Sequence, residues 1–439
     1  MKSIKKLVLE GFMLLASVVV LAGCKNDSVP EVTPAKLVSI TVTPPTRTVY
    51  SVGESFDGSD MVVTATYEDG ETREVTGWTT NFSDVTSEKG VNKKGTVSYT
   101  EGDNAETATF TVDVVDPSVP TKLTSYISPN LTDDTWTYMA FGEWPQTKAN
   151  VEGISLQQVV GGRGYFKDNY YTDGNGNYYV KAAENANGSG DAYKYSDGTK
   201  AGQDGTSTQW FKVEPIIWRV LNAKDGKYNE SENPLLLAEN ILTGGIKWAY
   251  SRNNYMESNI RKWLNGNSGS GAQSDYNGGA GFLQTAFTSE AQGLITPTTV
   301  DNSATSTLPN ILTEEQKTTD WNNGKNDYAC GDTTDKIFLL SEQEATMSDY
   351  GFAEYNVYVG DSNNTKTSTR IRVTTDYAKA TRVSQASEAS SGGMLWLRSP
   401  CYSFDYDALS INGYGNAYSG GSVVATYGGV VPALSISLQ

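Results

Sequence analysis

TATFTVDVV, residues 107–115, is the stretch on which the reading of the N-terminal half turns. Ala108, Phe110, Val112 and Val114 alternate with Thr109, Thr111 and Asp113. At a period of two, the apolar set lines one face of a strand and the polar set the other. Upstream, SITVTPP (39–45) and MVVTATYEDGETREV (61–75) carry the same pattern, the latter with a hairpin turning at Asp69-Gly70. Residues 37–116 are therefore expected to form a small antiparallel sandwich. VVDPSVPTKL (114–123) follows, and its prolines mark 117–125 as a linker.

Before the sandwich, Lys2, Lys5 and Lys6 precede an apolar run from Gly11 to Leu21 and then Leu21-Ala22-Gly23-Cys24. A positive start, a short apolar stretch and small residues form a secretory signal peptide over 1–23, too short for a stable transmembrane span. Its ending resembles the bacterial lipobox, which implies that Cys24 is acylated and that 24–36, with Pro30 and Pro34, is a lipidated tether. Anchoring by palmitate-type chains follows from the burial of acyl CH₂ groups, at about 0.8 kcal/mol each. The expected location is the outer membrane, lipid-anchored and facing the surface; a periplasmic face is the alternative.

The 439 residues suffice for two or three domains, and an apolar fraction of 38% is compatible with globular folding. A formal net charge of −17 argues against a phosphate-backbone partner, so no nucleic acid is expected. The sequence has no histidine, which excludes a Ser-His-Asp relay, a Cys-His pair and an HExxH zinc site. Of three cysteines, Cys330 and Cys401 remain after Cys24, either as a disulfide in an oxidising compartment or as two independent thiols.

The remainder, 126–439, is rich in Gly, Asn, Tyr and Trp. FKVEPIIWRVLNAKDGK and NPLLLAENIL read as two paired strands. YMESNIRKWLN puts Met256, Ile260, Trp263 and Leu264 on one buried face of a short helix. LLSEQEATM reads as strand then helix, with Ser341 and Glu344 in a capping box, and another short helix begins at Thr375. DGNGNYYVKAAE (173–184) has oxygen-bearing residues at calcium-loop spacing, but Tyr178 stands where that loop needs glycine, so a hairpin turning at 174–177 is expected and no metal site is assigned.

The sequence ITVTPPTRTVYSVGESFDGSDMVVTATYEDG (40–70) with the closing TATFTVDVV resembles the bacterial immunoglobulin-like domains, usually spacers on surface proteins. Downstream, FGEWPQT, VEPIIWRVL, NIRKWLNG, FLQTAF, KIFLLSEQEA, TDYAKA, LWLRSP and GGVVPALSI resemble, in that order, a C-terminal domain of bacterial lipoproteins. The fold implied by this resemblance is similar to the C-type lectin fold of formylglycine-generating enzymes. The overall expectation is an all-β immunoglobulin-like sandwich followed by an α+β C-type-lectin-like domain. Val431 departs from the resemblance, since many relatives carry arginine there.

A narrower resemblance is to treponemal variable lipoproteins diversified by retroelements, whose mutagenised positions do not become Lys, Glu, Gln, Met or Trp. CYSFDYDALSINGYGNAYSGGSVVATY (401–427) contains none of these five. This candidate variable region also has a paratope-like composition. Tyr402, Phe404, Tyr406, Tyr414, Tyr418 and Tyr427 offer aromatic surface, and Asp405, Asp407, Asn412 and Asn416 offer adaptable hydrogen bonds. Leu409 and Ile411, like Trp396 and Leu397, read as core. The expected function is noncovalent binding of a protein or glycan ligand by a lipid-anchored surface protein, with no cofactor and no enzymatic activity. The alternatives are a structural or envelope-housekeeping lipoprotein without a diversified site, and an enzyme of the formylglycine-generating type.

Overall fold

The alternation of 107–115 becomes an inner strand of a two-sheet sandwich in a computed structural model. This structure describes residues 35–56, 58–130, 136–187, 193–221, 233–266, 276, 279–308, 326–352, 369–383, 392–402 and 404–437. The expected signal peptide, Cys24 and most of the expected tether lie outside the described residues.

The N-terminal unit contains β1 (Leu37–Thr43), β2 (Val49–Ser51), β3 (Val62–Tyr67), β4 (Thr72–Glu74), β5 (Thr79–Thr80), helix α1 (Phe82–Thr86), β6 (Gly90–Glu101) and β7 (Asn104–Val115). One sheet has the order β1-β3-β4 and the other β2-β7-β6-β5, with β2 parallel to β7. The expected hairpin joins β3 to β4, and Gly70 supplies the positive φ of its turn. Between the sheets lie Ile40, Val63, Ala65, Phe82, Phe110 and Val112, all buried. The Phe110 ring lies over Gly95 on β6, where a Cβ would stand 2.4 Å from Phe110 Cζ. Only glycine leaves room for that ring across the strand pair.

The polar face of β7 departs from expectation. Asp113 is fully buried, and its carboxylate accepts hydrogen bonds from the backbone N–H groups of Asn92 (2.8 Å), Thr124 (2.7 Å) and Ser125 (2.8 Å) and from the hydroxyls of Thr124 and Ser125. The segment 117–125, expected as a linker, is thus tied back onto the sandwich. It also contributes strand β8 (Thr121–Lys122) to the next sheet, and the Pro117 carbonyl accepts the Gly142 N–H. The N–H groups of Ser118, Val119, Leu123, Thr124 and Ser125 are all engaged, so the boundary is a docked joint and not a free tether.

Among the described residues, the C-terminal part is built on a nine-stranded sheet. Its members are β8, β9 (Tyr138–Lys148), β10 (Gln157–Gln158), β11 (Tyr170–Thr172), β12 (Tyr178–Ala183), β13 (Thr208–Val220), β14 (Leu235–Ala238), β15 (Ile295–Thr296) and a last strand, Ala433–Ile436. That last strand lies between β14 and β15, so the C-terminal end closes the sheet. The long β13 pairs with β9 along most of its length, with β12 through 208–212 and with β14 through 218–220. Short helices α2 (Asn259–Asn265), α3 (Phe282–Ala286), α4 (Ser289–Leu294) and α5 (Asp376–Ala380) pack around it. Trp144, Trp218, Trp248 and Trp263 are fully buried. The first three each donate an indole N–H to a backbone carbonyl, of Leu242, Phe141 and Leu397 respectively, which removes the cost of burying that donor.

Local signals held where a cap defined them. Ser258 accepts the Arg261 N–H at the start of α2, Gly266 ends that helix with φ +68°, and Thr375 accepts the Ala378 N–H at the start of α5. Met256 is a correction: the cap at Ser258 starts the helix after it, leaving Met256 exposed in a single 3-10 turn. The Ser341–Glu344 capping box forms, but it closes only a 3-10 turn over Glu344–Thr346. Residues 173–177 turn the β11–β12 hairpin, with Asp173 accepting the Asn175 and Asn177 N–H groups.

The two units meet on an apolar cluster of Val49, Val115, Leu123, Tyr138, Ala140 and Ile217. Beside it, Arg47 of the sandwich pairs with its neighbour Glu54 and with Glu214 of β13, while Lys212 of β13 reaches Glu54 at 2.7 Å. Asn177 exchanges hydrogen bonds with Ser55 at 3.1 and 3.2 Å.

Candidate binding face

The stretch 401–427 supplies β19 (Asp407–Ile411) and β20 (Ala417–Val423), which form a small antiparallel sheet with the preceding β18 (Leu395–Pro400); β16 (Thr298–Val300) and β17 (Thr333–Asp335) pair with each other elsewhere, and the strand Ala433–Ile436 is β21. Every residue of β18 and β19 is buried, including Trp396, Leu397, Leu409 and Ile411 as expected. Solvent is reached at the turns at the two ends of β19 and at Val423 and Thr426.

At one end, Phe404, Asp405 and Tyr406 are exposed, and the Phe404 and Tyr406 rings stack with centroids 5.3 Å apart. At the other end, Tyr414 is exposed on the turn between β19 and β20. Asn412 shapes that turn by accepting the N–H groups of Tyr414 (3.0 Å) and Asn416 (3.1 Å), and Gly415 takes φ +79°. Five strand residues, roughly 14 Å, separate the two ends. The expected single face is therefore split, and Tyr414 does not join Phe404 and Tyr406.

Asp407, Asn412 and Asn416 differ from expectation, while the cysteines take one of the two states left open. Asp407 is buried at the start of β19, its Oδ1 has no hydrogen-bond partner, and burial pushes its carboxyl above the ordinary range. It cannot act as an exposed ligand contact. Asn412 and Asn416 are half-buried, with Asn412 committed to its turn. Cys330 and Cys401 form no disulfide and both are thiols: Cys401 bonds across its own loop to the Asp407 carbonyl, while Cys330 bonds through its N–H to Asn302. Tyr402 is half-buried, and Tyr418 pairs through its backbone with Ser410, its side chain lying outside the described residues.

The loop bearing Phe404 and Tyr406 is held by Asn253, a buried residue that the sequence reading did not single out. Its side-chain amide donates to the carbonyls of Cys401 (3.1 Å), Phe404 (2.8 Å) and Asp407 (2.7 Å), and its N–H donates to Asp405. The segment 247–253 continues alongside 424–427, with the Ala249 N–H bonded to Val424 and Lys247 bridged to Tyr427. The segment 247–253 thus touches the Phe404–Tyr406 loop through Asn253 and Tyr427 through Lys247. Lys247 Nζ stands 4.6 Å from the Tyr250 ring centroid and 5.7 Å from that of Tyr427. Arg382 covers Tyr427 at 4.5 Å.

Arg382 follows α5 with φ +77°, a left-handed conformation that is uncommon for arginine. The return of the chain after the helix sets it there, and its Nε is buried without a partner. Lys247 and Arg382 both stand by the Tyr427 ring in a chain whose net charge is −17. The arrangement offers stacking surface and fixed positive charge. Among the described residues, no group of three or more His, Cys, Asp or Glu could hold a metal ion, and no helix is long and apolar enough to cross a membrane.

No curated protein and no solved structure matches the chain. Residues 231–438 match a family described as Domain of unknown function (DUF6273), a range that contains the whole candidate face but leaves β8 to β13 of the same sheet outside it. Residues 43–114 match the Bacterial Ig-like domain (group 3), and the two-sheet sandwich formed by these residues is accordingly an Ig-like domain.

Proposed function

We propose that this chain is a lipid-anchored protein of the bacterial envelope that binds a protein or glycan noncovalently through its C-terminal domain, which we read as C-type-lectin-like. The observation that carries the reading is the exposed, stacked Phe404–Tyr406 pair on a loop tied by Asn253, with Lys247, at the other end of the 247–253 segment, beside the rings of Tyr250 and Tyr427. Aromatic anchors beside fixed cations are a composition suited to recognition. The loop carrying two of them is tied by Asn253, so little ordering cost falls on binding. Acylation at Cys24 would place the chain on the outer membrane, with the docked Ig-like domain as a spacer, and diversification of 401–427 would act on the exposed turns.

The test is a glycan and protein array probed with the soluble chain from residue 25 onward. Saturable binding to a ligand class is expected. Absence of binding by a chain that still melts cooperatively would favour a structural lipoprotein instead.

A further inference from the structure

Lys247 and Arg382 share one aromatic ring. Arg382 Cζ stands 4.5 Å from the Tyr427 ring centroid and Lys247 Nζ 5.7 Å from it, while Lys247 Nζ is also 4.6 Å from the centroid of Tyr250. All four residues are half-buried. Elsewhere Arg47, Arg163, Arg219, Arg261 and Arg398 each pair with a carboxylate. Among the described residues Lys247 and Arg382 form no ion pair, and their terminal nitrogens are neither hydrogen-bonded nor closed off from solvent. In a chain of net charge −17, two such cations beside one ring reverse the prevailing field locally.

Both are held in place before any ligand arrives. On one side of Arg382 the Thr381 hydroxyl accepts the Gly244 N–H at 3.0 Å, and on the other Val383 is buried with its N–H on the Ala378 carbonyl at 3.3 Å. These anchors fix Arg382 at φ +77°. A left-handed arginine costs backbone energy that its neighbours must cover, and strain of that kind gathers at binding sites. Lys247 is bridged to Tyr427 and precedes Trp248, which is fully buried. A ligand therefore meets preset charges, with little ordering left to do.

We propose that Lys247 and Arg382 bind the carboxylate or sulfate of an acidic saccharide whose ring packs against Tyr427 and Tyr250; this rests on the C-terminal domain being a binding module and names the class of its ligand. Anionic oxygens accept charge-assisted bonds from the ammonium and guanidinium, and the C–H face of a sugar ring loses water against an aromatic one. An acidic peptide fits less well, because extended peptides add backbone hydrogen bonds. Here the backbone is already committed: the Ala249 N–H donates to Val424, the Val430 N–H to Thr243, and Lys247 is bridged to Tyr427.

The experiment titrates the purified full chain, by calorimetry, with tetragalacturonate, its neutral methyl ester, a sulfated galactose tetramer and tetraglutamate. One of the two acidic saccharides should bind at least about tenfold tighter than the methyl ester and than tetraglutamate, and which one does so separates carboxylate from sulfate. Lys247→Gln and Arg382→Asn should each weaken that binding about tenfold while melting within a few degrees of the parent, since asparagine accepts a left-handed backbone. Should a variant fail to fold, the parent decides: its affinity must fall as sodium chloride rises from about 50 to 300 mM. No binding of either acidic saccharide, equal binding of the methyl ester or of tetraglutamate, folded variants that bind like the parent, or an affinity indifferent to salt overturns the proposal. Array binding of another ligand alongside any of these results would leave the C-terminal domain a binding module of a different specificity.

Discussion

Arg47 of the Ig-like domain stands 3.2 Å from the Glu214 carboxylate on β13 of the C-terminal sheet. Lys212, two residues before Glu214, returns the contact to Glu54 at 2.7 Å, so each unit contributes a carboxylate to the other's cation. Burial alone would raise the Glu54 carboxyl, but Arg47 and Lys212 outweigh it and hold it below its ordinary value. Arg47→Ala should therefore lower the melting temperature by about 2–5 °C at pH 7, allowing for its 28% side-chain exposure. The sign with pH follows from the depressed carboxyl: its contribution is present above about pH 4.3 and is lost as pH falls through the folded value. Calorimetry at pH 7 and pH 3 should find the deficit of the variant shrinking at the lower pH.

The docked joint makes a second prediction. A fragment ending at residue 116 strips Asp113 of the four hydrogen bonds from Thr124 and Ser125 and leaves its carboxylate to Asn92 alone among the partners identified. A fragment extended to residue 126 retains them. Hydrogen bonds to a charged acceptor contribute about 1.5–3 kcal/mol each at most, and with part of that returned by water the longer fragment should be more stable by about 2 kcal/mol. Equal melting of the two fragments would show that the joint adds nothing to the sandwich.

Asp113 also marks how far the sequence could be read. The period-two pattern of 107–115 identified Phe110, Val112 and Val114 as core because one sheet face decides it. On the other face Thr109 stays exposed, but Asp113 is covered by a segment whose prolines read as a free linker, and nothing in its composition announces those bonds. At the candidate face, Phe404, Tyr406 and Tyr427 were legible from their type, but their grouping with Lys247 and Asn253 joins segments about 150 residues apart, as the separation of 151 between Asn253 and Phe404 shows. Asp407 was misread although the signal existed. It shares strand parity with Leu409 and Ile411, so the alternation that put those two in the core carried Asp407 with them.

Glu342 predicts an unusual pH response. Its carboxyl is raised to about 8 by burial, with Arg370 opposing, and its Oε1 has no hydrogen-bond partner. The folded state therefore binds a proton that the unfolded chain releases near pH 4.3, and stability falls as pH rises from about 4.5 to 8. Glu342→Gln keeps the shape and removes the titration. Denaturant melts of the variant should be flatter over that window and should show a gain of about 1–3 kcal/mol at pH 8. An unchanged slope would mean that Glu342 is not the titrating group.

The proposed anchoring rests on one thiol. Cys24→Ser should leave the chain unacylated, released or held as precursor, because only the thiol can take the thioether. Mass spectrometry of the native protein should find an acylated amino-terminal cysteine, and an unmodified mature terminus would remove the anchor from the proposed function.

The split of the expected face gives the sharpest test of where ligand is held. Phe404 and Tyr406 are 46% and 43% exposed and stack on each other, while Tyr414, 49% exposed, sits at the far end of β19. Truncating a recognition aromatic typically costs about 2 kcal/mol or more in affinity, roughly thirtyfold. Exposed truncations change stability by about 0.5 kcal/mol. The double variant Phe404→Ala, Tyr406→Ala should thus lose array-detected binding while melting within a few degrees of the parent. Tyr427→Ala should lose binding too, with a larger stability cost because Arg382 packs over its ring. Tyr414→Ala should bind as the parent does, since it lies on a separate turn. Loss of binding in Tyr414→Ala with retention in the Phe404/Tyr406 pair would move the site to the opposite end of the sheet and leave Lys247, Tyr250 and Arg382 with a purely structural role.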